Sequence, residues 1–246
     1  GHIWGGEWFV GDYRGFERVA HLAYLPLPGG DAAIRHPWRI AVAYLHVLGL
    51  DGAMPLGEFC PADVMRVRTM VDRRLNTPLT SSMGRLFDAV SALLGICHEA
   101  TYEAQAAIEL EQVAGRRSAT IAAWHQITPY PFELDTGTPP YQIQVGALLD
   151  AILEDVERAE PTALIAQRFH MTIAAMIVTV CVRLRTDRGI NVVALSGGVF
   201  QNRLLTALTL SQLAASGFEV LHHQQVPPND GGISLGQAVM ASFAQS

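Results

Sequence analysis

V-V-A-L-S-G-G-V-F-Q-N-R-L-L, Val192–Leu205, decides the fold. The apolar run Val192–Leu195 reads as a strand, and it stops at Ser196-Gly197-Gly198. An amphipathic helix pattern follows at once. A strand that ends in a glycine pair and opens a helix offers bare backbone N–H groups and the positive end of a helix dipole. Phosphates, or the sugar edge of a nucleotide, bind such a turn, and glycine lets a ligand approach the backbone closely because no Cβ intervenes. Asn202 follows within a helical turn, so its amide is expected to face the same crevice. The same pattern also fits an ordinary βα turn.

Moving outward, Phe218–His222 reads as a second strand. It runs into V-P-P-N-D-G-G-I-S-L-G-Q, Val226–Gln237. The prolines stop the strand and hold the chain extended. Asn229 and Asp230 sit at a turn, and Gly231-Gly232 opens the last helix. Both loops follow strands, so in a parallel α/β sheet they lie at the same edge, where ligands bind. A carboxylate beside a phosphate crevice suggests Asp230 as a metal ligand. Its alternative role is a helix N-cap.

At 246 residues the chain is long enough for a substantial core, and 50% hydrophobic against 16% charged residues argues against disorder. A net charge of −6 excludes a broad phosphate-neutralising face for duplex nucleic acid, though not a site for a small nucleotide. Cys60, Cys97 and Cys181 form neither a zinc pattern nor a disulfide framework, which suggests a reducing, cytoplasmic setting. The apolar surroundings of Cys97 and Cys181 suggest inert thiols. The most apolar stretch, near Thr172–Val182, falls short of the ~20 residues a membrane span needs. Gly1-His2 reads as a tag remnant, leaving residues 3–246 as the domain.

In chain order, Ile3–Tyr13 suggests a strand or hairpin near a sheet edge. Gly15–Tyr24 has helical spacing, with Glu17 outside the apolar set of Phe16, Val19, Ala20 and Ala23. Pro26–Asp31 is a proline-glycine turn. Helices are expected over Ile34–Leu48, with Pro37 in the first turn, over Pro61–Leu75, over Ser82–Leu94 with Ser81 or Ser82 as cap and substrate contact by Thr80-Ser81-Ser82 as the alternative, and over Tyr102–Ala114 with Glu103, Glu109 and Glu111 exposed. Gly115–Pro140 is irregular, and His125 within it has no partner pattern. Tyr141–Glu157 and Thr162–Arg185 read as long helices, the second carrying core residues Phe169, Ile173, Met176, Ile177 and Val180 and a buried His170. The closing strand–helix–strand–helix alternation gives an α/β signature.

S-G-G-V-F-Q-N-R-L-L with P-P-N-D-G-G-I-S-L-G-Q-A resembles the C-terminal carbamoyltransferase domain of the HypF family of hydrogenase maturation factors. I-W-G-G-E (Ile3–Glu7), F-E-R-V-A-H-L (Phe16–Leu22) and L-P-G-G-D-A-A-I-R-H-P-W-R (Leu27–Arg39) carry the likeness along the chain. So do T-S-S-M-G-R-L-F-D-A-V-S-A-L-L-G (Thr80–Gly95), T-Y-E-A-Q-A-A-I-E-L-E (Thr101–Glu111) and R-F-H-M-T-I-A (Arg168–Ala174). The resemblance implies an α/β fold of the actin/hexokinase/Hsp70-like (ASKHA) type: the C-terminal lobe, with a large helical insertion, truncated at the N-terminus. It implies that Glu17 and Gly30 contact a nucleotide's ribose and base, although relatives usually carry Asp where Glu17 stands. It implies nucleotide contacts from Gly197, Gly198 and Asn202, and metal ligation by Asp230. No residue of the chain is assigned as catalytic.

The ligand implied is carbamoyl-adenylate derived from ATP, with a divalent metal, iron or zinc. The acceptor implied is the C-terminal cysteine of a HypE-like protein. The family's H-x-x-x-H metal motif does not occur in these residues, nor do the acylphosphatase, zinc-finger and YrdC-like domains. The chain is therefore expected to be part of one lobe of a cleft, completed by upstream domains or a partner chain and weak in binding alone. A small-molecule O-carbamoyltransferase and a non-catalytic docking module are the alternatives.

Overall fold

The computed structural model describes residues 1–51, 59–115, 124 and 126–244. The expected His125 and part of the irregular Gly115–Pro140 stretch lie outside the described residues. The fold is α/β, as expected. Strand β1 (Glu7–Asp12) pairs antiparallel with β2 (Gly15–Leu22) in a tight hairpin, fulfilling the edge-hairpin reading of Ile3–Tyr13. Short strands β3 (Leu25–Pro26) and β4 (Leu79–Thr80) form a two-stranded sheet of their own. Later come β5 (Glu133–Asp135) and β6 (Tyr141–Gln144), which complete a four-stranded sheet in the order β1-β2-β6-β5.

The helical spacing of Gly15–Tyr24 is thus overturned: Glu17 lies on a strand. Val19, Ala20, His21 and Leu22 are all buried in succession. A strand paired on both edges and covered on both faces does not alternate, so its apolar residues mimic a helical pattern. Tyr141–Gln144 is likewise strand rather than helix. The helix begins only after it, as α6 below, because β2 recruits Tyr141, Gln142 and Ile143 in parallel register.

The expected helix at Ile34–Leu48 is two, α1 (Asp31–Arg35) and α2 (Pro37–Val47). Pro37 supplies no N–H and restricts the residue before it, so His36 leaves helical geometry at φ −127°, ψ 76°. Helix α3 spans Pro61–Asp72, α4 Met83–Leu93 and α5 Gln105–Gly115. Ser82 caps α4, its Oγ accepting from Arg85 N at 3.4 Å. Helix α6 spans Gly146–Glu157.

The core is organised around α7 (Thr162–Arg188), whose Phe169, Ile173, Met176, Ile177 and Val180 are buried as expected. At 27 residues it outruns the sequence reading and is long and apolar enough to cross a membrane by length and composition alone. Here 72% of its most apolar window is buried inside the fold. It stops at Gly189, which takes the left-handed conformation at φ 70°. The chain closes with β7 (Val192–Leu195), α8 (Arg203–Ala215), β8 (Glu219–His222) and α9 (Ile233–Ala244). Strands β7 and β8 pair in parallel, from Val192↔Glu219 to Leu195↔His222.

Candidate functional site

Because β7 and β8 run parallel, the loops that leave them emerge at one edge. A backbone bond locks the two loops together: Gly197 N donates to Pro228 O at 2.7 Å. Gly197 holds φ 107°, a region open to glycine and strained for other residues. A Cβ built on Gly198 would lie 3.9 Å from Asn229 Cβ, so the two glycine turns are in van der Waals contact. The expected juxtaposition of Asn202 and Asp230 holds, since both line one crevice of about 560 Å³.

The details differ from the sequence reading. Gly198 does not open an α-helix. A 3₁₀ turn, Gly198–Gln201, intervenes, and α8 starts only at Arg203. Two of the first N–H groups of α8 are already satisfied. Leu204 N donates to the Glu111 carboxylate at 3.1 Å, and Leu205 N to Asn202 Oδ1 at 2.8 Å. These two donors of α8 are therefore taken by the protein's own acceptors.

Asn202 is thus the N-cap of α8, a role the sequence reading did not give it. Its Oδ1 is fixed by Leu205, so its Nδ2 is the group 3.0 Å from His170 Nε2. An amide nitrogen only donates, so His170 Nε2 accepts and the imidazole proton sits on Nδ1, 2.7 Å from Ala166 O. His170 is fully buried, and that burial pushes its pKa down to about 4. The buried, satisfied histidine anticipated from sequence is tied directly to the site.

Asn229 accepts from Gly231 N at 3.1 Å and caps the 3₁₀ turn Asp230–Gly232. That frees Asp230 from the capping role. Its carboxylate makes no hydrogen bond or ion pair among the described residues. No group of three His, Cys, Asp or Glu side chains among them could hold a metal ion. Asp230 offers at most one ligand, so these residues alone do not constitute a metal site.

The opposite wall comes from motifs quoted above, of which only Thr80-Ser81-Ser82 is expected, as an alternative to capping, to contact substrate. Gly5, Ser82, Gly84, Arg85 and Asp88 line it, with Glu103 and Glu111 at the side. Gly5 packs so closely that a Cβ there would meet Ser82 at 3.0 Å. Glu7 anchors this wall by accepting from Ser81 Oγ, Gly5 N and Arg18 Nε. Asp88 is 2% exposed, and burial raises its pKa to about 6 against the pull of Arg85. Arg85 Nε lies 3.0 Å from Asp88 Oδ2, yet neither atom makes a well-directed hydrogen bond. The contact is an ion pair of poor alignment, its Oδ2 and Nε both buried without a hydrogen bond. Glu111, expected to be solvated, is half-buried instead and holds α8.

Two expected nucleotide residues lie elsewhere. Glu17 is exposed on β2 and accepts from Arg188 Nη2 at 2.9 and 3.0 Å. Gly30 precedes α1 at φ 53°. Neither lines the crevice; Gly198 does, while its neighbour Gly197 lines the adjoining cleft of about 760 Å³. Cys97 and Cys181 are buried, their thiols raised to about 11 and about 12, as inert thiols require. His2, set aside from the fold reading, packs its ring against that of Tyr24, centroids 4.1 Å apart and planes tilted by 36°.

A family model described as "Carbamoyltransferase, Kae1-like Domain, second subdomain" matches residues 1–237. The carbamoyltransferase HypF of Rhodobacter capsulatus is 39% identical over 246 residues, covering 98% of this chain and 30% of that protein. A carbamoyltransferase HypF homolog of Cupriavidus necator is 36% identical, covering 98% of this chain and 61% of its own length. Among solved structures, full-length HypF in its phosphate- and nucleotide-bound form superposes with a TM-score of 0.90 at 37% identity. That match covers 99% of this chain and 31% of the solved one. HypF of T. kodakarensis gives a TM-score of 0.82 at 29% identity, over 99% and 32%. The chain therefore spans about a third of most of these relatives.

Proposed function

The chain belongs to the family of the second subdomain of the Kae1-like carbamoyltransferase domain, and from that membership we propose that it forms one wall of a carbamoyl-adenylate cleft in a HypF-type carbamoyltransferase. The observation that carries this is the bond from Gly197 N to Pro228 O, which sets the two glycine turns side by side above Asn202 and Asp230.

The residues divide the work. The glycine turns let the nucleotide's phosphate reach the backbone without meeting a Cβ. The buried Arg85–Asp88 pair, beside Gly84, faces them across the crevice and suits the polar, sugar side of the nucleotide. Among the described lining residues, Asp88, Glu103, Glu111 and Asp230 outnumber the single cation Arg85. An anionic mixed anhydride enters such a crevice only with added positive charge. A divalent cation held by Asp230 together with ligands from outside these residues would supply that charge and polarise the phosphate. Fixing the anhydride against the cleft leaves its carbonyl open to an attacking thiolate, for which we propose the C-terminal cysteine of a HypE-like acceptor. That transfer serves nickel-iron hydrogenase maturation.

Titrating ADP into the chain and following its amide resonances by NMR tests the crevice. Gly197, Gly198, Gly231 and Gly232 are expected to shift together, with millimolar affinity. Shifts at neither turn would sink the reading. In the full-length polypeptide, Asp230→Ala is expected to lower carbamoylation of an acceptor's C-terminal cysteine by at least about 100-fold, read by mass spectrometry.

A further inference from the structure

Away from the crevice, the end of α2 holds a histidine between two carboxylates. Helix α2 closes on Gly49, left-handed at φ 72°, and Leu50 N donates back to Leu45 O at 2.9 Å. That reversal is the Schellman form of helix end. It returns Asp51 to the side of His46, whose Nδ1 lies 2.9 Å from Asp51 Oδ2. On the other side of the ring, His46 Nε2 lies 2.7 Å from Oδ1 of Asp72, the last residue of α3.

An ionised carboxylate only accepts, and a neutral imidazole carries one N–H. Two carboxylates at hydrogen-bond distance from the two ring nitrogens therefore need an imidazolium. The other charged groups nearby are few. On α3, Arg68 Nη2 lies 3.0 Å from Asp51 Oδ1, an ion pair without a well-directed hydrogen bond. Arg85 and Asp88 of α4 bear on Tyr44 rather than on His46. Asp31 and Arg35 of α1 lie at the opposite end of α2. Asp51 thus keeps a cation beside it whatever the charge of the ring. Asp72 makes no second hydrogen bond or ion pair among the described residues, and its side chain is 64% exposed against 34% for Asp51. Water replaces the ring most readily at Asp72, so Nε2 is the nitrogen that gives up its proton.

We propose that His46 is a proton-operated clamp between α2 and α3: the cationic ring holds Asp51 and Asp72 together, and loss of its Nε2 proton to solvent releases Asp72 and loosens the end of α3. The bonds to Asp51 and then to Asp72 raise the ring's pKa above its usual value. The clamp is therefore complete below about pH 6.5 and is lost as pH rises through that raised value. The chain after α3 carries the effect onward. Leu75 N donates to Met70 O, Asn76 O accepts from Gly29 N at 2.7 Å, and Pro78 O accepts from Leu27 N at 2.9 Å. Releasing Asp72 frees the turn that docks on Leu27–Gly30 and leads into β4.

Two measurements on the full chain test this. Ring-nitrogen NMR at about pH 6 is expected to show both His46 nitrogens protonated, with a titration midpoint above the ordinary histidine value of about 6.5. Asp72→Asn, at an exposed position, is expected to lower that midpoint. Amide exchange at Leu75 and Gly29, corrected for its intrinsic pH dependence, is expected to rise about two- to fivefold between about pH 6 and about pH 8.5. His46→Gln, whose side chain is neutral throughout, is expected to exchange at the faster rate at both pH values. A neutral ring at about pH 6, a midpoint unmoved by Asp72→Asn, or the same pH step in His46→Gln overturns the proposal.

Discussion

His170 shows how much a single buried side chain contributes to the crevice without touching it. It holds Asn202, which caps α8, which in turn carries the glycine turn at its head. Replacing His170 with Phe removes the acceptor and strands Asn202 Nδ2. We expect a stability loss of about 1–3 kcal/mol in urea and faster amide exchange over Gly198–Gln201. His170→Gln, which keeps an acceptor, is expected to restore slow exchange there even if some stability is lost. Equal exchange in both variants would mean that the histidine only fills space. The buried titrations act in opposite senses. The pKa of about 4 at His170 means that the native state carries fewer protons than the unfolded chain between pH 4 and 6.5. Its contribution is present above pH 6.5 and lost as pH falls through that window. At Asp88, raised to about 6, the native state holds more protons between pH 3.8 and 6, so its contribution is lost as pH rises. Each is on the order of 3 kcal/mol. Asp88→Asn is therefore expected to steepen the fall in stability on acidification from pH 6 to pH 4, measured by urea midpoints. An unchanged slope refutes the assignment.

Elements were legible where turn or capping residues bound a clear period. Helix α4 follows from the spacing of Leu86, Val90, Leu93 and Leu94 after a serine cap, although it is buried nearly all round, and the strand–turn pairs around β7 and β8 follow from glycine placement. The β2 and β6 strands did not, because burial on both faces erased alternation at Val19–Leu22 and left Tyr141–Gln144 only four residues long before a strong helix. At the site, glycines and Asp230 could be read from their turn, whereas Gly84 and Asp88 could not. They sit inside a helix whose apolar face is core, and only the packing of Gly5 against Ser82 shows that their turn borders the crevice. Gly197→Ala probes the turn itself. At φ 107° the new Cβ is strained, and a loss of about 1–3 kcal/mol is expected in urea denaturation. Asn202→Ala removes a cap and leaves His170 Nε2 unpaired, so about 2–3 kcal/mol is expected from the two losses together. A value below about 0.5 kcal/mol would refute the capping role.

At the scale of the molecule, the fold has one well-packed region and one open side. The apolar residues around α7 are sealed, while Ile233, Leu235, Met240 and Phe243 of α9 and Val192 and Leu221 of the small sheet are exposed. Exposed apolar area of this kind marks an interaction face. The isolated chain is expected to bind a hydrophobic dye and to self-associate, and the full-length polypeptide to do neither, as light scattering would show. The cleft between β1 and β7 also has a consequence for biosynthesis. Its two walls are made roughly 180 residues apart, from Asp12 to Val192. At about 5–20 residues per second, a ribosome needs roughly ten to thirty-five seconds to make the second wall after the first. Throughout that interval the early strand edge stands unpaired on its outer side, so nascent chains are most vulnerable to tangling before the last quarter of the domain emerges.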